Sequence, residues 1–151
     1  MTAILIVAHA PLASALKAVV AHLDAELEAQ VDALDIGAGT CPDEVEAQAR
    51  RLIERRGGGE ALVLLDVAYA TPCNGVGRLL DDPSLRVEVL TGVNVPMLWR
   101  ALCYRALPLS ELLIKAADGA QAGVVHVTRS NCQRTNPGPT TDAADPDQDQ
   151  Q

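Results

Sequence analysis

The sequence predicts a doubly wound α/β fold, in which a mainly parallel sheet is covered by helices on both faces in three layers. Three observations predict it. Short aliphatic runs alternate with segments of helical spacing, four of the helices begin at or near a proline, and the apolar residues are almost all aliphatic, with no Phe and one Trp. Strands that alternate with helices form right-handed crossovers and a parallel sheet. We expect the flavodoxin-like strand order 2-1-3-4.

The individual elements follow from the spacing of apolar residues. Residues 3–9 are wholly apolar until His9, which predicts a strand buried on both faces. Pro11 starts the next helix, because an N–H at the first helical position would have no acceptor within the helix and its absence in proline costs nothing. The predicted strands are residues 3–9, 30–36, 61–66, 85–90 and 124–128. The predicted helices are residues 11–28, 43–56, 72–80 with Thr71 as the N-cap, one opened by Asn94 and Pro96, and a short one that begins near Ser110 and ends before Gly119.

The chain divides into one folded domain, residues 1–132, and a disordered acidic tail, residues 133–151. The tail is polar, is rich in Pro and Asp, and has nothing to bury. Its four Asp and one Arg carry a net charge of -3 out of the formal -8, which leaves -5 on the domain.

Composition excludes several classes of function. A net charge of -8 and a pI near 4.7 argue against nucleic-acid binding. The four cysteines form no C-x-x-C and follow no secretory signal, so we expect no metal site, no disulfide framework and a cytoplasmic protein. No apolar run is long enough for membrane insertion. Nucleotide-binding glycine motifs are absent, and we expect no cofactor.

The candidate site lies where two neighbouring strands end. In the order 2-1-3-4 the switch point falls between the strands that end in His9 and Asp66, where ligands bind. A carboxylate beside an imidazole fixes its tautomer and makes the other ring nitrogen a nucleophile. The N–H groups that follow Thr71, at Cys73 and Asn74, would receive an anion such as a phosphoryl group. We therefore interpret His9 as the nucleophile of a phosphotransferase that works through a phosphohistidine.

Other interpretations remain open at this stage. Cys73 could itself be a nucleophile, because a helix N-terminus lowers the pKa of a thiol. Asn94 could cap a helix or line the site, and Tyr69 could pack over the site or contact a partner. We interpret His22 as a surface or half-buried residue, and His126 as a packing or interface residue and not a ligand. Trp99, like Tyr69, could serve in packing or contact a partner.

Three segments together carry a resemblance to a known family. AILIVAHAPLASAL, LVLLDVAYATPCN and TGVNVPML resemble the mannose-type IIA component of the bacterial phosphoenolpyruvate:sugar phosphotransferase system, over residues 1–128. The resemblance implies that His9 takes phosphate from the phosphocarrier protein HPr and passes it to a IIB partner. It also implies that Asp66 hydrogen-bonds His9 and that Thr71 stands where the family has a serine near the phosphate.

The chain departs from the family at the expected lining of the site. Ala10 replaces the glycine that usually follows the histidine, and Tyr69 and Ala70 replace a Gly-Gly pair. The sequence ends where many relatives continue into a IIB domain, so we expect the IIB acceptor to be a separate chain. In the family the last strand is antiparallel and is exchanged between subunits, which implies an antiparallel edge strand at residues 124–128 and a homodimer.

Two functions are compatible with these residues. The first is a IIA component that serves sugar uptake. The second is a regulatory protein whose phosphorylation state at His9 controls a partner without transport. The sequence names no sugar.

Overall fold

Four parallel strands form the sheet in the computed structural model, which describes residues 1–129. The strands are β1 (Ala3–His9), β2 (Val31–Ile36), β3 (Glu60–Leu65) and β4 (Arg86–Thr91). Their order is β2-β1-β3-β4, and every neighbouring pair is parallel. The predicted α/β class and the order 2-1-3-4 are therefore confirmed.

Helices connect the strands and cover both faces of the sheet. They are α1 (Leu12–Leu23), α2 (Ala25–Glu28), α3 (Pro42–Arg55), α4 (Thr71–Gly77), α5 (Val95–Cys103) and α6 (Leu109–Ala122), and a 3₁₀ turn at Arg78–Asp81 continues α4. No helix within residues 1–129 is long and apolar enough to cross a membrane.

The alternating side chains of the central strands build two separate cores. Ile4, Ile6 and Ala8 of β1 pack on one face with the buried residues of α1, α5 and α6. Leu5 and Val7 pack on the opposite face with those of α3 and α4. Burial of both faces explains why the central strands read as continuous apolar runs.

The register of the strands brings the candidate residues to one edge. Val7 pairs with Leu65, the last residue of β3, so Asp66 follows β3 at the level where β1 approaches its end at His9. His9 pairs on its other side with Ile36, the last residue of β2. The carboxyl ends of three strands therefore surround His9.

The first predicted helix is broken in the structure. Asp24 interrupts it with an extended backbone, and its carboxylate accepts hydrogen bonds from the N–H groups of Glu26 and Leu27 to start α2. The periodicity of apolar residues continues across this break, so the sequence pattern alone could not show it. An aspartate that satisfies the first N–H groups of a new helix favours the interruption.

The predicted antiparallel strand at residues 124–128 does not form within the described single chain. Helix α6 extends to Ala122, and residues 124–128 have no regular structure and are exposed. Within residues 1–129 no antiparallel edge strand joins the sheet. Gly119 was expected to end the helix, but it lies inside it, where an added Cβ would stand 2.9 Å from the carbonyl oxygen of Pro96. The glycine thus serves close packing of α6 on α5, and the helix continues through it.

The predicted acidic tail, residues 133–151, lies outside the described residues, as does the end of the predicted domain at Cys132.

Candidate functional site

His9 and Asp66 form a hydrogen-bonded pair at the carboxyl edge of the sheet. The Nδ1 atom of His9 lies 2.7 Å from Oδ2 of Asp66, and the backbone N–H of His9 donates to the same oxygen at 3.0 Å. The side chain of His9 is 52% exposed, whereas that of Asp66 is 13% exposed. The carboxylate therefore lies behind the imidazole, and the far side of the ring faces solvent.

The surroundings of Asp66 keep it ionised. Partial burial would raise the pKa of this carboxyl, but hydrogen bonds from the His9 ring, the His9 backbone and the Val67 N–H outweigh that effect and lower the pKa. An ionised carboxylate can accept hydrogen bonds but cannot donate them. The Nδ1 atom of His9 must therefore carry the proton, which leaves the lone pair on Nε2.

A cleft of about 360 Å³ lies in front of His9. His9, Ala10 and Thr71 line it together with Ile36 and the loop that follows β2, residues 37–40. This loop lies between the predicted strand at residues 30–36 and the predicted helix at residues 43–56, and it was not among the predicted site residues. Its position directly after a strand was the available signal, because the loops that follow parallel strands meet at one edge. Gly39 has a φ of 84°, which a residue with a side chain rarely adopts.

Two of the helices that begin at this edge, α1 and α5, have a carboxylate or an amide oxygen that accepts from the first turn. Asp35 accepts a hydrogen bond from the N–H of Ser14 in the first turn of α1, at 3.1 Å. Asn94 accepts one from Met97 in the first turn of α5, at 2.9 Å. At the start of α3, Glu44 instead accepts a hydrogen bond from the N–H of Cys41, the residue before the helix, at 3.4 Å. Protein side chains thus already use N–H groups in the first turns of α1 and α5.

Helix α4 differs from α1 and α5, because no side chain in the described chain accepts a hydrogen bond at its N-terminus. The N-cap is Ala70 and not Thr71, so the predicted cap is wrong by one residue and Thr71 is the first helical residue. Pro72 has no N–H, and the N–H of Asn74 donates to the carbonyl of Ala70 at 2.9 Å. The N–H groups of Thr71 and Cys73 are therefore the two in the first turn that the helix itself does not bond.

Of the other predicted site residues, some line the cleft in front of His9 and some do not. Ala10 lines the cleft, whereas Asn74 and Tyr69 are exposed beside it and outside its lining. The amide oxygen of Asn94 caps α5, and its NH₂ group donates to the carbonyl of Ala120 in α6 at 3.3 Å. Both groups of the side chain are therefore engaged by helices. It does not line the cleft.

The remaining candidates stand apart from His9. His22 is exposed on α1, Trp99 is partly buried in α5, and His126 is exposed in the segment that follows α6. Within residues 1–129 no three His, Cys, Asp or Glu side chains gather into a group that could hold a metal ion.

The model of one protein family matches this chain. The family is EIIA-man, described as the PTS system fructose IIA component, and the match covers residues 3–117. That range contains all four strands and the whole of the His9 cleft. A search of curated protein sequences finds no match.

Solved structures of similar proteins share the fold. The chain is 26% identical to phosphotransferase system component EIIA from Streptococcus agalactiae, with a TM-score of 0.75 over 83% of this chain and 97% of that one. It is 23% identical to the mannose/sorbose specific IIA subunit from Enterococcus faecalis, with a TM-score of 0.73 over 84% and 95% of the two chains. It is 21% identical to the PTS IIA protein associated with the fucose utilization operon from Streptococcus pneumoniae, with a TM-score of 0.61 over 83% and 96%. The last two similarities support the fold alone.

Proposed function

This chain belongs to the mannose-type IIA family of the phosphotransferase system, and from that membership we propose that Nε2 of His9 carries the phosphoryl group. The donor is the phosphohistidine of HPr, and the acceptor is a IIB protein. The observation that carries this proposal is the hydrogen bond between Nδ1 of His9 and ionised Asp66, at 2.7 Å.

The pair supports a transfer that needs no proton movement. The lone pair of Nε2 attacks phosphorus, the P–N bond to the donor histidine breaks, and its electron pair returns to the donor nitrogen. His9 keeps its proton on Nδ1, so its ring gains positive charge as the new P–N bond forms. The carboxylate of Asp66 stabilises that charge and holds the ring at the angle of attack.

The N-terminus of α4 is the proposed binding site for the phosphoryl oxygens. The hydroxyl and N–H of Thr71 and the N–H of Cys73 supply donors beside His9, and the positive end of the helix dipole favours an anion. The caps on α1 and α5 support this assignment, because a side-chain oxygen already accepts from the first turn of each of these helices. Asn74, which we predicted to bind phosphate, has its N–H engaged in the helix, so its side chain would have to provide any contact.

The direct test is phosphorylation with enzyme I, HPr and labelled phosphoenolpyruvate. We expect label that is lost in acid and kept in base, as for a phosphoramidate. His9→Ala should abolish it, and His22→Ala, which removes an exposed histidine of α1, should keep it. Labelling of the His9→Ala protein, or an acid-stable product, would refute the role of His9.

A second stage of the same experiment tests the role in transport. Addition of the IIB protein encoded near this chain should remove the label from His9. Label that leaves for no IIB protein would instead support the regulatory function, in which the phosphorylated protein itself is the signal.

We further propose a homodimer that uses residues 122–128. Strand β4 is at the edge of the sheet, and within the described residues it pairs with β3 alone. Val124, Val125 and Val127 are exposed, although they favour extended structure. A second subunit would pair these residues with an open edge and bury them.

Truncation tests the dimer. Removal of everything after Cys132 should leave a dimer in sedimentation, whereas removal of everything after Gln121 should give monomer or aggregate. A full-length protein that sediments as a monomer at micromolar concentration would contradict the exchange and leave the chemistry of His9 intact.

A further inference from the structure

Tyr69 combines two unfavourable features at the rim of the site. Its φ is 62°, the left-handed conformation that residues with a side chain rarely adopt, and it is the one non-glycine residue with positive φ within residues 1–129. Its side chain is 95% exposed. The backbone conformation costs free energy, and the exposed ring recovers none of it through packing within the described chain.

The position of Tyr69 explains what the ring can contact. It is three residues after Asp66, so its Cα lies within about 11 Å of the Asp66 Cα. A protein that brings a phosphohistidine to His9 covers about 800 Å² of this surface, a disc of about 16 Å radius. The exposed His9 ring and the open cleft require the donor to come to this surface, and a footprint centred on the bonded pair of His9 and Asp66 therefore includes Tyr69.

We infer that Tyr69 is a specificity-determining contact for the protein that delivers the phosphoryl group to His9, an inference that rests on the proposed function. Tyrosine supplies a large, rigid contact area and is enriched among residues that dominate binding energy. Val67, half exposed on the same loop, extends the apolar surface. Tyr69 directly precedes Ala70, the N-cap of α4, and does not line the cleft in front of His9.

Three substitutions separate the ring from the backbone. Tyr69→Gly removes the ring and suits the positive φ, Tyr69→Ala removes the ring and keeps the strain, and Tyr69→Phe keeps the ring. We expect both Gly and Ala variants to raise the KM for phospho-HPr about tenfold with little change in kcat, and Phe to resemble the parent. Tyr104→Ala is the matched control. Tyr104 is the C-cap of α5, whereas the N-terminus of α5, at Asn94, is the end that lies at the edge of the site.

A small donor distinguishes docking from chemistry. Phosphoramidate is a small phosphoryl donor that needs no docking surface, so we expect it to phosphorylate His9 at the same rate in the parent and in all Tyr69 variants. An unchanged KM for phospho-HPr in Tyr69→Gly would overturn the inference. So would a changed rate with phosphoramidate in that variant, which would show that Tyr69 acts on the site itself. A parent protein that neither donor phosphorylates would refute the proposed function, and this inference with it.

Discussion

Replacement of Asp66 with asparagine keeps the size of the side chain and removes its charge. The two oxygens of Asp66 accept three hydrogen bonds: Oδ2 accepts two from His9 and Oδ1 accepts one from the N–H of Val67 at 2.9 Å. An amide has one oxygen and one NH₂, so one of its two ends must face an N–H group. In one orientation the NH₂ group faces the N–H of Val67, and in the other orientation it faces His9.

The magnitude follows from the less costly orientation. With the amide oxygen toward His9, the bond to Nδ1 survives but loses the charge that stabilises a positive ring. A hydrogen bond to a charged group contributes about 1.5–3 kcal/mol. Loss of that stabilisation in the transition state corresponds to phosphoryl transfer about 10- to 150-fold slower. The opposite orientation would favour the wrong tautomer and slow transfer further.

Rapid-quench measurement of label transfer from phospho-HPr checks the rate, and circular dichroism checks the fold. Asp35→Asn is the matched control, since that carboxylate lies at the same edge but accepts from the N–H of Ser14 and not from the imidazole. The asparagine keeps an oxygen for this bond and loses only the negative charge at the helix N-terminus, so it should lower stability by about 0.3–1 kcal/mol and leave the transfer rate unchanged. A folded Asp66→Asn protein with the parent rate would refute the proposed role of the carboxylate.

Two further predictions concern stability. Burial would raise the pKa of Asp32, but its ion pair with Arg56 at 2.7 Å helps to lower the pKa below its usual value. The ionised carboxylate therefore stabilises the fold fully above the unfolded pKa near 3.9, and this stabilisation is lost as the pH falls through the lower pKa of the folded state. Asp32→Asn should therefore lower the free energy of unfolding at pH 7, measured in urea, by about 1–3 kcal/mol. It should also reduce the loss of stability as the pH falls below about 4, and an unaltered acid profile would contradict the pairing. Gly119→Ala should cost about 1–3 kcal/mol, since its Cβ would lie 2.4 Å from Cγ of Arg100. Gly77→Ala, where nothing lies within 4 Å of the added Cβ, should be neutral or stabilising by up to about 1 kcal/mol, and equal losses in the two variants would exclude the steric explanation.

Local sequence predicted the elements whose signals are local. The apolar run before His9 predicted a central strand, and the prolines near four helix starts predicted where the chain turns back along the sheet. It failed where distant contacts decided the outcome. Gly119 is read as a stop by local rules, but it remains helical because α6 packs closely on Pro96 of α5. Asp32 lies in β2 among apolar residues, and its arginine partners come from the end of α3, more than twenty positions later.

The site divides in the same way. The sequence by itself determined that His9 and Asp66 end neighbouring strands, because the alternation of strands and helices specifies the order of a parallel sheet. The tertiary structure alone decided that Oδ2 of Asp66 meets Nδ1 of His9, and so which ring nitrogen is available. It also decided that Asp35 and Asn94 occupy the first turns of α1 and α5, whereas the start of α4 has no side-chain cap. Hydrogen-bond partners depend on positions in space to within a few tenths of an ångström, and spacing along the chain does not carry that information.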